Sequence, residues 1–508
     1  MLEVCDLSFQ YYLSSQKNLK HISLNIEEAE IVVIVGKSGS GKTTLLRHFK
    51  KELMPKGKRD GCIQYMGKNI ETLSNFESAS KIGYVFQNPH NQIVEDHVYH
   101  EIAFGLENLG ISYDEMNTRV AEIIQYFHLE DIYDKHTYEL SGGQKQLVTL
   151  ASIMIMQPQV LLLDEPLAQL DPKSRQEFVS MLKRIHDDFG TTIIMVSHHL
   201  EEIMNDIDRM IVLQEGRKIV EGNVQTTIEK VKDDELLEIF PPYIQLLTKL
   251  HLPTNLSFYQ TKKKINPLRS IERKYSNNLP CLSVKHLYAS YEHEVLKDFS
   301  LIIPKQEIFC LLGNNGSGKT TFLKCLMKEM KYKGKIDYQG QLGYLPQDPL
   351  LLISRDSVYD ELYGNKKINK NTVNFLVDYF HFNDLLEYHP YDLSGGQQQI
   401  LAIMKLLLYQ SDILLLDEPT KAIDPIMKRK LGLLLEELIH TGKTIICVSH
   451  DLEFCGEFAT MIGLLFHHQV LNVSRPKEFF KKHYFYTTQL SKLTRDYTHI
   501  ISLKDVML

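Results

Sequence analysis

Short, unbroken apolar runs, each bounded by glycine or an acidic residue, dominate the hydrophobic pattern of this chain. Ile31–Val35, Val160–Leu163 and Ile308–Leu312 have the length of strands buried on both faces of a parallel sheet. Two such runs end on aspartate, at Asp164 and Asp417, and two more close on Ser197-His198 and Ser449-His450. A helix-like stretch spans Asp234–Leu250, followed by a Lys/Pro/Asn-rich linker over Thr261–Asn278. The tail from Lys477 clusters aromatics with lysines, which predicts a packed C-terminal helix in preference to a lipid-binding one. No run approaches the roughly 18 apolar residues of a membrane span, and no basic-then-apolar leader opens the chain. Any membrane passage is therefore expected to belong to a partner.

The pattern repeats. Gly36–Thr43 reads GKSGSGKT and Gly313–Thr320 reads GNNGSGKT. LSGGQ occurs at Leu140–Gln144 and Leu393–Gln397, and LLLDEP at Leu161–Pro166 and Leu414–Pro419. Ser141 to Ser394 and Asp164 to Asp417 are both 253 residues apart, whereas Lys42 to Lys319 is 277. Most of the difference lies between the glycine-rich loop and the following glutamine. Lys42 to Gln87 spans 45 residues, and Lys319 to Gln347 only 28. The chain reads as a first domain over 1–222, a helix-containing linker over 223–280, a second domain over 281–470 and a tail over 471–508.

Composition narrows the class. With 508 residues, 43% apolar and 24% charged, the chain is long enough for two or three globular domains. Its 57 basic and 64 acidic residues leave a net charge of −7, which argues against a nucleic-acid partner held on a broad basic face. The seven cysteines show no C-x-x-C spacing, so zinc and iron–sulfur sites lack support and free thiols are expected. His467-His468 reads as a solvated strand end.

Each glycine-rich loop lies between an apolar strand and a helix start, at about Thr43 in the first copy. Glycines let successive backbone amides point inward as an anion nest at the positive end of the helix. Lys42 and Lys319 would reach the terminal phosphates of a nucleotide, and Thr43 and Thr320 would ligate Mg2+. Asp164 and Asp417 would hold the Mg2+ hydration shell. Glu165 and Glu418 stand where a carboxylate can polarise an attacking water. A bare Asp-Glu pair after a strand would be no more than charge at a helix N-terminus; here the whole pattern surrounds it.

Walker A, glutamine loop, LSGGQ, Walker B with its glutamate, Asp loop and switch histidine, in that order, resemble the ABC ATPases over nearly all of both copies. The resemblance implies an α/β fold with two P-loop NTPase domains in tandem. Each would have a RecA-like parallel-sheet core, an antiparallel β part and a helical signature subdomain. It also implies a head-to-tail intramolecular pairing of the copies around two ATP sites. One site would join Gly36, Lys37, Ser38, Gly39, Ser40, Gly41, Lys42, Thr43, Gln87, Asp164, Glu165 and His198 to Ser394, Gly395, Gly396 and Gln397. The other would join Gly313, Asn314, Asn315, Gly316, Ser317, Gly318, Lys319, Thr320, Gln347, Asp417, Glu418 and His450 to Ser141, Gly142, Gly143 and Gln144. Gln87 and Gln347 count with the magnesium ligands, and His198 and His450 with the catalytic groups. Tyr11, beside Tyr12, and Tyr291 fall where the family stacks an aromatic on adenine. Both sites carry the full set and are expected to hydrolyse ATP. The chain departs from the family in LAQLD and TKAID (Leu167–Asp171, Thr420–Asp424) in place of T-x-G-L-D. It also has Leu147 and Ile400 where arginine is usual.

The segments after the glutamine, Val85–Gly110 and Tyr344–Leu362, resemble those of energy-coupling factor (ECF) importer ATPases. That resemblance implies vitamins, vitamin precursors or transition-metal ions as cargo. It also implies a membrane coupling protein and a substrate-binding membrane subunit as partners, with this chain peripheral on the cytoplasmic face of the cell membrane. A fused ATPase resembles those proposed for thiamine-precursor (hydroxymethylpyrimidine) uptake. Two alternatives stay open: a tandem ATPase of a sugar importer, and a ribosome-associated tandem ABC translation factor.

Overall fold

The computed structural model describes residues 1–507 apart from 13–15, 233–234, 257, 266–267, 276–277, 292, 315, 366–367, 485 and 497. The chain divides into two compact units, Met1–Phe240 and Pro241–Leu508.

The apolar runs form the centre of a six-stranded sheet in each unit. In the first, the order is Arg217–Gly222, Arg209–Gln214, Ile31–Val35, Thr192–Val196, Val160–Asp164, Ile82–Val85. All neighbours are parallel except the first pair, and Val32 sits between Ile194 and Arg209. The second unit repeats this order, from the edge pair Gln469–Ser474 and Met461–Phe466 through Ile308–Leu312, Thr444–Ser449 and Ile413–Asp417 to Leu342–Leu345. Ile31–Val35 and Ile308–Leu312 are buried at every position, which is why they carry no polar alternation. A separate antiparallel sheet accompanies each core, four-stranded in the first unit and three-stranded in the second. Helices follow the glutamine segment: Val98–Asn108, Tyr113–Phe127 and Gly142–Met154, matched by Val358–Tyr363, Lys370–Tyr379 and Gly395–Leu407.

The shortened front of the second copy has a structural location. After Gly57–Tyr65 the first unit makes a hairpin strand, Lys68–Asn69, and a helix, Asn75–Lys81, closed by a Ser74–Glu77 capping box. In the second unit Lys333–Tyr338 passes directly to Leu342–Leu345, without either element.

The region read as one linker is shared between the units. Helix Val224–Val231 and the 3-10 turn Glu235–Ile239 belong to the first unit, and helix Pro242–Lys249 opens the second. The single helix expected over 234–250 is interrupted at Pro241-Pro242, where two successive residues lack an amide proton. In the second unit this segment folds with the tail. Leu246, Ile265, Leu490, Leu493, Ile500 and Val506 form one apolar cluster. Arg269–Ser270 pairs antiparallel with Val506–Met507, and Arg273 Nε donates to Asp505 Oδ1 at 2.7 Å. The tail does contain packed helices, Pro476–Lys482 and Gln489–Thr494, and Phe479 and Phe480 are fully buried.

Candidate nucleotide sites

Each glycine-rich loop runs from the central strand into a short helix, Lys42–His48 or Lys319–Leu326. Gly36 has φ 151°, and a Cβ there would stand 2.1 Å from the Leu213 carbonyl oxygen; only glycine fits. Lys42 Nζ donates to the carbonyls of Gly36 and Lys37, both at 2.9 Å. Lys319 Nζ does the same with Gly313 at 2.8 Å and Asn314 at 3.0 Å. Each lysine is buried inside its own loop, where it faces the amide nest. Asn315 lies outside the described residues.

At the strand ends the two copies differ in detail. Thr43 Oγ1 donates to Asp164 Oδ1 at 2.8 Å and Tyr84 OH to Oδ2 at 3.0 Å. Burial raises the pKa of Asp164, and the Thr43 hydroxyl works against that rise. Asp417 is buried, and neither carboxylate oxygen accepts a hydrogen bond from the described residues. Burial pushes its pKa up to about 6, with Thr320 near enough to oppose the shift. A buried carboxylate without a partner is costly unless a cation or a proton completes it. With a hydroxyl-bearing threonine after the loop lysine in both copies, the donor set fits Mg2+.

Glu165 and Glu418 both have φ 50°, an unfavourable region for a side chain with a Cβ. Strain of this kind concentrates at functional sites. Glu165 Oε1 lies 2.8 Å from His198 Nε2, and Glu418 Oε2 2.9 Å from His450 Nδ1. Burial is the largest single influence and raises the pKa of each glutamate, but attraction to its histidine, the hydrogen bond to that histidine and the nearby loop lysine together leave the pKa lowered. Lys319 Nζ adds a cation 3.9 Å from Glu418. Each unit thus brings its loop lysine, Walker B aspartate, glutamate and histidine together.

LSGGQ is a helix start in both units. Ser141 Oγ accepts from Gln144 N at 3.3 Å while Gln144 Oε1 accepts from Ser141 N at 3.0 Å, and Ser394 with Gln397 repeats the box. The glycines have distinct roles. Gly142 faces open space, whereas a Cβ on Gly396 would meet the Ala422 carbonyl oxygen at 2.4 Å. The helix behind each signature has 13 residues and presents its free amides at an exposed serine. Of the residues replacing arginine, Ile400 is buried in the core and Leu147 is half-buried.

Gln87 is half-buried and Gln347 exposed, each just beyond its strand. Tyr11 is half-buried with its hydroxyl 3.2 Å from Thr44 Oγ1, while Tyr12 and Tyr291 stand 72% and 60% exposed.

Three features escaped sequence reasoning. Tyr84 bonds the Walker B aspartate, and the signal was available as Gly-Tyr repeated at 83–84 and 343–344. Gln92 clamps the strand before Gln87, accepting from Phe86 N at 2.9 Å and donating to Tyr84 O at 2.8 Å. Glu101 is buried and accepts from the amides of Val94 and Glu95, both at 2.9 Å. Glu361 occupies the same place in the second unit and pairs with Lys405 at 2.6 Å.

The ABC transporter family profile matches residues 19–168 and 296–421, the two segments that hold these loops. An ABC transporter ATP-binding protein of Bacillus thuringiensis subsp. konkukian (strain 97-27) is 38% identical, over 97% of this chain and 95% of its own. YkoD of Bacillus subtilis (strain 168), named for HMP/thiamine import as an ATP-binding protein, is 30% identical over 92% of this chain and 90% of its own. An archaeal ribosome recycling factor, aABCE1, solved with ribosomal stalk protein aP1, aligns over 94% of this chain with TM-score 0.62 and 21% identity, a likeness of fold. The chain belongs to the ABC transporter ATP-binding proteins, with two ATPase domains in one polypeptide.

Proposed function

We propose that this chain is the ATP-hydrolysing subunit of a membrane importer of the ECF type, with two competent ATP sites. The observation that carries the two-site reading is the intact glutamate–histidine pair in each unit, Glu165–His198 and Glu418–His450. In this reading Lys42 or Lys319 leaves its loop carbonyls for the terminal phosphates of ATP. Glu165 or Glu418 takes a proton from the attacking water, and His198 or His450 orients the glutamate and the γ-phosphate. Thr43, Asp164 and Gln87, or Thr320, Asp417 and Gln347, would hold Mg2+, which when bound neutralises charge on the phosphates. As the resemblance to the ABC ATPases implies, each signature helix start, at Ser141 or Ser394, would cap the nucleotide of the other copy, and closure on ATP would be intramolecular.

The ECF reading rests on the segments Val85–Gly110 and Tyr344–Leu362 and is supported by the similarity to YkoD. ATP drives the membrane partners only by binding the closed arrangement more tightly than the open one. Among the described residues no helix is long and apolar enough to cross a membrane, so the channel is assigned to partner subunits. Cargo is placed in the class of vitamins, vitamin precursors or metal ions, with a thiamine precursor first. Affinity purification in mild detergent tests the reading. Co-purification of a small membrane coupling protein and a substrate-binding membrane protein is expected; ribosomes, or a pair of large permeases, would contradict it.

A further inference from the structure

The second residue of each phosphate loop is held from outside the ATPase core. In the first unit Lys37 Nζ lies 2.5 Å from Glu235 Oε2. In the second, Tyr486 OH donates to Asn314 Oδ1 at 2.7 Å. Both holds are built alike. The strand that ends each six-stranded sheet, Arg217–Gly222 or Gln469–Ser474, leads into a helix, Val224–Val231 or Pro476–Lys482. Buried Ile228 and Val231, or Phe479 and Phe480, fix that helix, and the chain then returns to the loop. The chemistry is not shared: one hold is an ion pair, the other a neutral hydrogen bond. In the second unit the contact is broader, since Lys482, His483 and Tyr484 line a cavity of about 490 Å3 together with Asn314 and Ser317.

The same second residue is also held by its carbonyl, which accepts from Lys42 at 2.9 Å or from Lys319 at 3.0 Å. That lysine must turn to the phosphates when a nucleotide binds, a step that rests on the reading of these loops as ATP sites. The side-chain hold from the extension uses different atoms and does not involve that lysine. We propose that Glu235 and Tyr486 are positioning residues: each fixes the second residue of its own phosphate loop and so sets the affinity of that site for ATP. Because both holds reach solvent, their effect is modest, roughly two- to fivefold in affinity.

Glu235→Gln and Tyr486→Phe are tested in the full chain, with Lys319→Ala or Lys42→Ala leaving one intact loop at a time. The probe is a fluorescent ATP analogue with Mg2+. With Lys319→Ala, Glu235→Gln is expected to weaken the analogue two- to fivefold and Tyr486→Phe to leave it unchanged; with Lys42→Ala the pattern reverses. Exchanging the charges, Lys37→Glu with Glu235→Lys, is expected to restore affinity lost in Lys37→Glu alone. Affinity unchanged by either variant overturns the proposal, as does a loss shared by both sites and accompanied by a lower Tm. No binding of the analogue by the unsubstituted chain would overturn the nucleotide-site reading itself, and the proposal with it.

Discussion

Glu165 Oε1 and His198 Nε2 stand 2.8 Å apart, with side chains only 12% and 6% exposed. Burial, the largest single influence, would raise the glutamate's pKa; the attraction and hydrogen bond of His198, together with Lys42 and His199, outweigh it and leave the pKa lowered. A general base in this position loses activity as pH falls through its folded pKa. His198→Ala removes the opposing attraction, so the acid limb of the pH–rate profile is expected to move to higher pH. Turnover should also fall by about 100-fold or more. Steady-state ATPase assays across pH, in a Glu418→Gln background, check both.

Glu101 and Glu361 occupy matching places with different partners. Glu361 pairs with Lys405; the first unit has Ser152 at the position of that lysine, and Glu101 forms no ion pair among the described residues. Burial raises the pKa of Glu101, with the Glu95 and Val94 amides opposing. Its folded pKa lies above the unfolded one, so the fold gains stability as pH falls through the folded value. At neutral pH the ionised carboxyl is a cost. Glu101→Gln is therefore expected to be tolerated and to flatten that pH dependence. Glu361→Gln removes the charge opposite Lys405, leaving the lysine its bond to the Leu352 carbonyl, and costs about 3 kcal/mol. Denaturant titrations at several pH values separate the two.

Ala422 adopts φ 58° where the family commonly has glycine. Relief of that strain makes Ala422→Gly stabilising by about 1 kcal/mol. Gly396→Ala would drive a Cβ to 2.4 Å from the Ala422 carbonyl oxygen and is expected to lower Tm by several degrees. Thermal unfolding of the two variants gives opposite signs.

Phe480 belongs to the tail, yet it is fully buried in the main core of the second unit. Phe480→Ala is expected to cost about 3–5 kcal/mol. Urea unfolding should show the loss in the transition of the second unit.

The core sheets were legible because five-residue apolar runs flanked by motif residues leave little choice of element. The glutamates, histidines and loop lysines were legible for the same reason, each being tied to a strand end. Tyr84 and Gln92 were harder to see, since they act on Asp164 and on the Gln87 segment through contacts that no short motif encodes. The linker and tail could not be read as one body. Arg269–Ser270 pairs with Val506–Met507 across more than two hundred residues, and hydrophobic periodicity carries no information about such a distant partner. The shortened front of the second copy was visible as a change in spacing. Its meaning, the loss of the hairpin Lys68–Asn69 and the helix Asn75–Lys81, needed the fold.

In the proposed function both ATP sites of the chain turn over. ATP hydrolysis by the full chain, together with any membrane proteins that co-purify with it, measured for Glu165→Gln and Glu418→Gln separately, tests it most directly. A substantial loss in each variant, and abolition in the double variant, is the expected result. Full turnover in either single variant would contradict the claim.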